Sequence, residues 1–442
     1  MAIGSSYMQR TQTAGNQKTW TVSMWVKRGD VETQQCLMSV EDGAAYVLFK
    51  FNASEYFEWR GETGAARFIT TRVFRDPAAW YHIVVACDTT ESVEADRFKI
   101  YVNGVQETSF GTETYPAEDS DTYMNKSGGI LRIGSDEVPG SYLNGCMSWV
   151  QLVDGLALAP TQFGSFDATS GIWKIKPGAY GTPGTNGFTL AMEDRSNLDL
   201  DTSSNAHTFT TTGTITATYD NPSNNFTTYN PVDDYMQNIT ETHGNTTLTT
   251  LAGGYLAPGV STLGMEGGKW YFEVKAASAD NIIGIVSSQV IATGQYVGNL
   301  VNDWGYYGSN GNSYNNGSST SYGDSYTTSD IIGVAVDLEN SKLYFAKNNT
   351  WQNSGVPTSG GTGTGALSIT AVNSTPLQQY QAAVTANTTS ITTTSTNFGN
   401  GYFGVTAVTS AEADGAGIGA FEYAPPTGYY ALCTKNIKAY GG

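Results

Sequence analysis

The chain has 442 residues, which is more than one hydrophobic core usually organises, so the length predicts two domains. It carries 22 Lys and Arg against 40 Asp and Glu, a net charge of -18, and neither Lys nor Arg occurs between residues 196 and 268. This charge argues against binding to nucleic acid or to anionic membranes, because both present negative phosphates that cations must neutralise. The sequence also lacks a basic-apolar leader and any apolar stretch near the roughly 20 residues of a membrane helix, so we expect no membrane insertion.

Composition and periodicity in the first half predict short β-strands. Only 14% of residues are charged and Gly alone numbers 51, a balance typical of strands and turns rather than helices. Apolar residues alternate with polar ones, and Asn103-Gly104 is the dipeptide that favours a type I′ hairpin. The only helical feature expected is a turn or two near 159–163. The predicted strands cover 20–26, 81–86, 98–102, 130–134 and 147–153.

A change of composition after Asp194 separates this module from a second one. Residues 196–245 are rich in Thr, Asn and Ser and contain Pro turns, so we interpret them as closing strands followed by a connector. Strands are then predicted at 268–274, 331–338, 342–347, 379–384 and 396–403. The predicted fold is all-β, with two β-sandwich domains in tandem. Their bounds are 1–220 for the first, 221–265 for a Thr/Asn/Pro-rich connector and 266–442 for the second.

Cysteine and histidine usage indicates little metal or acid-base chemistry. Cys36, Cys87, Cys146 and Cys433 are scattered without a CxxC pair, which favours buried free thiols over a zinc site or disulfides. His82 lies within an apolar strand, where a hydrogen-bonded structural imidazole is expected. We expect no cofactor. The acidity would permit Ca²⁺ among surface Asp and Asn oxygens, but the sequence offers no convincing ligand set.

Carboxylates are the residues that glycan hydrolysis would need, in a pair at catalytic separation. None of the acidic clusters shows a Glu-x-Asp-x-x-Glu strand pattern, and we interpret them as solvated loops. The chain is therefore expected not to be an enzyme. The clusters are Glu41-Asp42, Glu94-Ala95-Asp96, Glu193-Asp194 and Glu412-Ala413-Asp414.

An aromatic segment of the second half is the candidate carbohydrate-binding site. Its rings stand among Gly, Asn and Ser, a mixture that offers flat faces to sugar C–H groups and amides to sugar hydroxyls. The alternative is that these rings pack across the sandwich as ordinary strand residues. The candidates are Trp304, Tyr306, Tyr307, Tyr314, Tyr322 and Tyr326.

The second half resembles a SPRY domain. The resemblance rests on Gly-Lys-Trp-Tyr-Phe-Glu-Val at 268–274, on the run from Ile-Gly-Val-Ala-Val to Ala-Lys-Asn at 332–348, and on Asn-Phe-Gly at 397–399. The ending at 423–432 is similar to that of SPRY modules in phage tail-fibre-like proteins. The resemblance implies a second sandwich from about 266 to 438.

The first half is similar to the laminin-G-like, concanavalin A-like jelly-roll sandwich found upstream of such SPRY modules in phage proteins. Together the two resemblances imply a bacteriophage virion surface protein. The residues that carry the first resemblance lie at 18–29, 73–85, 99–105, 171–174, 180–182, 221–226 and 230–231.

The paired resemblance implies a tail fibre or appendage adhesin that binds host-surface polysaccharide without cleaving it. The alternatives are a capsid or tail decoration protein with mainly structural contacts, and a polysaccharide-degrading enzyme. The first strand begins almost at Met1, so we expect a compact appendage rather than a long fibre. The expected partners are other virion proteins and host polysaccharide, with a homotrimer as the expected oligomer and the virion surface as the location.

Overall fold

The computed structural model divides the chain into two compact units. The first comprises Met1–Ala217 with Asn221–Ser223, and the second comprises Thr218–Asp220 with Asn224–Gly442. Nearly all regular structure is β-strand, and each unit has two main sheets, so the prediction of an all-β tandem of sandwiches is confirmed. The structure describes residues 2–3, 6–43, 45–61, 66–232, 239–250, 258–287, 295–374, 379–386 and 391–441.

The first unit packs a seven-stranded sheet against an eight-stranded sheet. The seven-stranded sheet has the order β1-β13-β3-β8-β9-β10, with β16 beside β13, and the other has the order β11-β7-β6-β5-β4-β12-β2-β17. A separate hairpin joins β14 and β15. The strands are β1 Ala2–Ile3, β2 Tyr7–Thr11, β3 Thr19–Arg28, β4 Gln35–Glu41, β5 Tyr46–Phe51, β6 Tyr56–Arg60, β7 Arg67–Val73, β8 Trp80–Asp88, β9 Phe98–Val102, β10 Val105–Gln106, β11 Phe110–Thr114, β12 Ile130–Ile133, β13 Gly145–Asp154, β14 Gly164–Phe166, β15 Trp173–Ile175, β16 Phe188–Leu190 and β17 Thr210–Thr212.

The core of the first unit lies between these two sheets. Val22 and Met24 of β3 meet Phe49 of β5 and Trp59 of β6 there, all almost completely buried. The opposite face of β3 is buried as well, because the hairpin β14–β15 places Trp173 over the outer face of the seven-stranded sheet. This double coverage explains why β3 is apolar or uncharged through most of its length rather than half solvated.

The hairpin β9–β10 turns at Asn103-Gly104 as the sequence predicts. Asn103 has φ 50° and Gly104 has φ 80°, the two positive values that a type I′ turn requires. Gly104 also lies against Trp173: a Cβ at this position would stand 2.4 Å from the indole ring. Glycine is therefore needed here both for the turn and for the close approach of the ring.

The second unit packs a nine-stranded sheet against a six-stranded sheet. The first has the order β18-β19-β31-β21-β26-β27-β28, with β29 beside β27 and β34 beside β21, and the second has the order β20-β30-β22-β23-β24-β25. The pair β32–β33 and the helix α1 complete the unit. These elements are β18 Ile239–Thr242, β19 Thr247–Thr250, β20 Gly259–Val260, β21 Lys269–Lys275, β22 Asn281–Ser287, β23 Trp304–Tyr307, β24 Asn312–Asn315, β25 Ser318–Ser321, β26 Ile331–Asp337, β27 Lys342–Lys347, β28 Thr350–Trp351, β29 Leu367–Ser368, β30 Tyr380–Ala386, β31 Thr392–Asn397, β32 Tyr402–Phe403, β33 Thr406–Ala407, β34 Tyr430–Ala431 and α1 Thr434–Tyr440.

Much of the predicted connector, 221–265, is incorporated into this second unit. Strands β18 and β19 pair with each other and β19 pairs with β31, while Phe226 and Tyr229 are buried. The reason is that β-branched threonines, which resemble a polar linker in composition, also suit strands with one face in a core. Leu248 of β19 supplies the apolar side chain that faces that core.

Two sequence predictions in the second unit are wrong in detail. The strand expected at 396–403 is split into β31 and β32, because Gly399 and Gly401 adopt φ values of 102° and 87° that break an extended strand. The helix α1 was not predicted, since seven residues are too short for a recognisable helical period. Among the described residues, no helix has the length and apolarity that crossing a membrane requires. Within the described ranges, the other helical turns are 3₁₀ segments at Glu94–Asp96, Pro160–Gln162, Gln352–Ser354 and Pro357–Thr362.

Candidate functional site

The predicted aromatic segment divides into enclosed and half-buried rings. Tyr306, Tyr322 and Tyr326 are 0%, 5% and 1% exposed, and they pack in the core of the second unit. The Tyr326 hydroxyl lies 2.7 Å from the backbone oxygens of Asn281 and Tyr306 and shares its one proton between them, which is a structural role. These three rings therefore present no face to a ligand in this structure.

The other three predicted rings lie nearer the surface. Trp304, Tyr307 and Tyr314 are half-buried on the adjacent strands β23 and β24, and Tyr307 meets Tyr314 edge to face with 5.8 Å between ring centroids. Because an edge-to-face pair leaves one ring face directed away from its neighbour, these rings retain some surface. Their contact with a glycan stays a prediction.

A cavity of about 250 Å³ in the first unit is a stronger candidate than this aromatic segment. It lies where β6 ends and β7 begins, opposite the loop that follows β11. Aromatic and small apolar residues make up most of its lining, and the polar groups are concentrated in one short stretch. The lining residues are Trp59, Gly61, Ala66, Tyr115, Pro116, Ala117, Ser120, Asp121 and Thr122.

Trp59 forms the floor of the cavity. It is 1% exposed and packs on Phe98, with ring centroids 4.1 Å apart, and on Phe68 at 6.2 Å. The chain passes directly over the indole at Gly61, where a Cβ would stand 2.6 Å from the Cη2 atom of Trp59. The floor is therefore fixed by the core beneath it and cannot move without repacking that core.

Tyr115 forms one wall. Its ring is half-buried and stands edge to face on Phe68 with 4.8 Å between centroids. Its hydroxyl donates to Glu113 at 2.6 Å. Burial, together with this bond and the charge of Glu113, raises the pKa of Tyr115 to about 12, so the phenol stays protonated and neutral at physiological pH.

The polar rim contains one side chain that is free to bind. Ser120 donates from Oγ to the backbone oxygen of Ala117, and Thr122 donates to the backbone oxygen of Gln17. Asp121 is exposed, and its carboxylate makes no hydrogen bond or ion pair with any described residue. The cavity thus combines the half-buried ring of Tyr115 with an unengaged acceptor of hydrogen bonds.

The described lining does not contain the carboxylate pair of a glycosidase. Such enzymes hold two carboxyl groups roughly 5 to 10 Å apart, one as acid and one as base or nucleophile. Asp121 is the single carboxylate among the described lining residues. In the predicted acidic clusters, Glu41 pairs with Arg132, Asp42 pairs with Lys126, and Asp414 is buried and accepts hydrogen bonds from backbone amides. The interpretation as solvated loops is therefore wrong for Glu41, which ends β4, and for the buried Asp414.

Two buried carboxyl groups of the second unit have raised pKa values. Burial raises the pKa of Glu273 to about 7, although four hydrogen-bond donors oppose this shift. Burial likewise raises the pKa of Asp303 to about 6. Glu273 is fully enclosed and all its donors come from the protein, so it joins β21 to later segments rather than facing a substrate.

The predictions of a structural, hydrogen-bonded His82 and of buried cysteine thiols are confirmed. His82 is fully buried, with Nε2 2.9 Å from the Ser23 hydroxyl and Nδ1 accepting from Trp173 Nε1 at 2.9 Å. Burial lowers the pKa of His82 to about 3, so the ring is neutral and structural. All four cysteines are buried and free. Within the described ranges, no cluster of three or more His, Cys, Asp or Glu residues is arranged to hold a metal ion.

Sequence reasoning missed Trp59, Tyr115 and Asp121. Trp59 belongs to a strand whose alternation marks it only as core, and Tyr115 and Asp121 belong to a loop without periodicity. The sequence signal that could have indicated this loop was Tyr115-Pro116 followed by acidic residues. The cavity exists because the fold brings these two distant segments together.

These features define a class of protein, a tandem of lectin-like β-sandwiches with a small aromatic cavity in the first one. Matches to known families agree with this class. Residues 3–162 match the model of the concanavalin A-like lectin/glucanases superfamily, and residues 269–384 match the model of the SPRY domain. The chain therefore contains a concanavalin A-like domain followed by a SPRY domain.

Individual relatives are similar over limited stretches. Ran-binding protein 9 of Danio rerio is 36% identical over 85 residues, which is 18% of this chain and 14% of that protein. The chain thus spans about one seventh of the length of that curated relative. The SPRY domain of human HERC1 is 16% identical, with a TM-score of 0.29, over 37% of this chain and 94% of that one. A putative carbohydrate binding protein from Bacteroides ovatus is 14% identical, with a TM-score of 0.30, over 48% of this chain and 57% of that one.

Proposed function

We propose that this chain is a glycan-binding protein that does not cleave its ligand, and that the cavity of the first unit is the binding site. The observation that carries the proposal is the lining, in which the half-buried ring of Tyr115 and the unengaged carboxylate of Asp121 stand above a floor closed by the buried Trp59. Sugars have apolar C–H faces that pack on aromatic carbon and hydroxyls that donate to carboxylates. The match of residues 3–162 to a lectin and glucanase superfamily supports the same conclusion.

Filling the cavity tests the proposal. Ala117 is exposed and lines the cavity, so the large side chain of Ala117→Trp should occupy the space without disturbing the core. Ala168 is exposed in the turn between β14 and β15 and is not part of the lining, so Ala168→Trp is the matched control. Binding is measured on a glycan array and on host cells or their extracted polysaccharide.

We expect at least a tenfold loss of glycan binding for Ala117→Trp and little change for Ala168→Trp. Both variants should keep the circular dichroism spectrum and urea midpoint of the parent protein. Failure of the parent protein to bind any glycan or host cell would refute the proposal. An equal loss of binding in both variants would refute the location of the site.

We also propose that the protein does not cleave the glycan that it binds. The single carboxylate among the described lining residues supports this. Incubation of purified protein with the polysaccharide that it binds should release no new reducing ends. Release above a heat-treated control would instead support the glycan-degrading alternative, and Asp121→Asn would then show whether this cavity is responsible.

We further propose that the protein acts at the surface of a bacteriophage particle, in contact with other virion proteins and as a homotrimer. This part is supported by the sequence resemblance of the paired modules to phage proteins. A map of the intact particle tests it directly. A few trimers at the tail would support an adhesin, a copy number that follows the capsid lattice would support a decoration protein, and absence from particles would refute the phage role.

A further inference from the structure

The size and charge of the cavity restrict the kind of glycan that it can hold. We infer that the cavity admits a single sugar residue at the end of a chain, that it binds acidic sugars less tightly than neutral ones, and that it binds an amino sugar more tightly than the matching neutral sugar. This inference rests on the glycan-binding function proposed above. It follows from the cavity volume, its closed floor and the ionisable groups around it.

The volume limits the ligand to about one ring. Pockets that enclose drug-sized molecules measure about 300 to 1,000 Å³, whereas this cavity measures about 250 Å³. Its floor is the buried Trp59, fixed against Phe98. A sugar in the middle of a chain needs two exits for its neighbours, and a terminal sugar needs only one. A small cavity with a closed floor therefore suits the end of a glycan chain or a single-residue branch.

The charge around the rim disfavours an acidic sugar. No Lys, Arg or His occurs among the described lining residues, and Asp121 is the one carboxylate among them. In the same loop, Glu118 is engaged by Arg97 at 3.2 Å and Asp119 by Lys18 at 3.1 Å. The cations of these two pairs are thus already engaged. A carboxylate brought into the cavity would meet the like charge of Asp121 without a compensating cation among the lining residues.

The same carboxylate favours a cationic sugar. An ammonium group about 4 to 6 Å from Asp121 in a site open to water gains roughly threefold to sixfold in affinity from the charge pair. A neutral sugar in the same position gains only hydrogen bonds from its hydroxyls. Because Asp121 is exposed and has no partner among the described residues, its charge can be changed without breaking a contact that holds the fold.

Competition with a matched series of monosaccharides tests the inference. The full chain is bound to an immobilised glycan that it recognises, and methyl glycosides of glucose, glucosamine and glucuronic acid compete for it. The galacto series is run beside the gluco series, since the geometry does not select between these epimers. We expect the amino sugar to inhibit about threefold to sixfold better than the neutral sugar. We expect the uronate to be about threefold to sixfold weaker than the neutral sugar, because its carboxylate meets the charge of Asp121 as a repulsion of the same size.

Chain length is tested in the same assay. Oligosaccharides that end in the preferred sugar should inhibit only slightly better than that sugar alone, by less than about threefold, because further residues lie outside the cavity. Inhibition by trisaccharides and longer chains but not by any monosaccharide would overturn the single-residue inference. Equal inhibition by the uronate and the neutral sugar would overturn the charge inference.

Two variants at one position distinguish these outcomes from a failure of the proposed function. Asp121→Asn should abolish the preference for the amino sugar, and Asp121→Lys should place the uronate above it. An unchanged ranking in Asp121→Lys would refute the charge inference even if glycan binding itself is real. If the parent protein binds no glycan at all, the proposed function fails instead.

Discussion

Replacing Glu273 with glutamine would test whether the cost of burying this carboxyl group in the second unit outweighs the hydrogen bonds that it accepts. The Glu273 side chain is completely buried on β21. Its Oε1 accepts from the backbone amide of Tyr423 at 2.8 Å and from the Tyr271 hydroxyl at 3.2 Å. Its Oε2 accepts from the backbone amide of Glu422 at 2.8 Å and from the Asn397 side chain at 3.2 Å. Three of these donors attach β31 and the segment 422–423 to β21, and the fourth, Tyr271, lies on β21 itself.

Glutamine keeps the size of the side chain but exchanges one acceptor oxygen for a donor. The amide nitrogen fits better on the Oε1 side, because the Tyr271 hydroxyl can rotate and accept from it. The backbone amide of Tyr423 would then lose its partner inside the protein. A buried N–H without a partner costs about 1 to 3 kcal/mol, which is the expected loss of stability at pH 5.

The effect of pH on this substitution has a definite sign. Burial raises the pKa of Glu273 from 4.5 to about 7, so between these values the unfolded chain has released the proton while the folded chain still holds it. The contribution of Glu273 to stability is therefore present at low pH and is lost as the pH rises through this window. The size of that loss is about 3 kcal/mol between pH 4.5 and 8. Glutamine does not titrate, so its disadvantage should shrink by this amount and approach zero or reverse at pH 8.

Urea unfolding followed by pulsed hydrogen exchange and mass spectrometry measures this effect, because peptides from the two units are read separately. Glu266→Gln is the matched control, since Glu266 is exposed in the same unit and its substitution should change stability by less than about 0.5 kcal/mol. Peptides of the first unit should not respond. A difference between parent and Glu273→Gln that is constant from pH 5 to pH 8, or that grows with pH, would show that burial does not dominate at this carboxyl group.

Three further predictions concern the first unit. Trp173→Phe removes the N–H that donates to His82 at 2.9 Å, and we expect a loss of about 1 to 2 kcal/mol in the urea unfolding free energy of that unit. Gly104→Ala places a Cβ 2.4 Å from the Trp173 ring at φ 80°, and we expect a loss of more than about 2 kcal/mol by the same measurement. Burial raises the pKa of the Cys36 and Cys87 thiols, so neither should react with a thiol reagent at pH 8 until urea unfolds the unit, as counted by mass spectrometry. Rapid labelling of either thiol in the native protein would contradict its enclosure.

The strands could be predicted from the sequence because the signal that defines them is local. In β3, alternate residues such as Val22 and Met24 face the core, and this period of two is visible without any tertiary contact. The turn at Asn103-Gly104 was equally local, since these residue types tolerate positive φ in any protein. The burial of His82 followed from its apolar neighbours along β8.

Longer-range relations could not be predicted in this way. The threonine-rich segment before β21 resembles a linker until β19 pairs with β31, which follows it by more than a hundred residues. The coverage of the seven-stranded sheet by Trp173 depends on a hairpin that shows no strong alternation. The burial of the candidate rings could not be predicted either. Tyr306 and Tyr307 are neighbours in sequence, and the pleat of β23 places Tyr306 in the core and Tyr307 nearer the surface.

Sequence alone determined that the chain forms two β-sandwiches, because side-chain alternation fixes which residues must be buried together and this requirement acts within each strand. Tertiary structure alone decided where a ligand could bind. The cavity needs Trp59 from one strand and Tyr115 and Asp121 from a distant loop, and the pKa of Glu273 depends on donors contributed by three separate segments. Burial and electrostatics act through space, so they become readable only when the fold has brought these residues together.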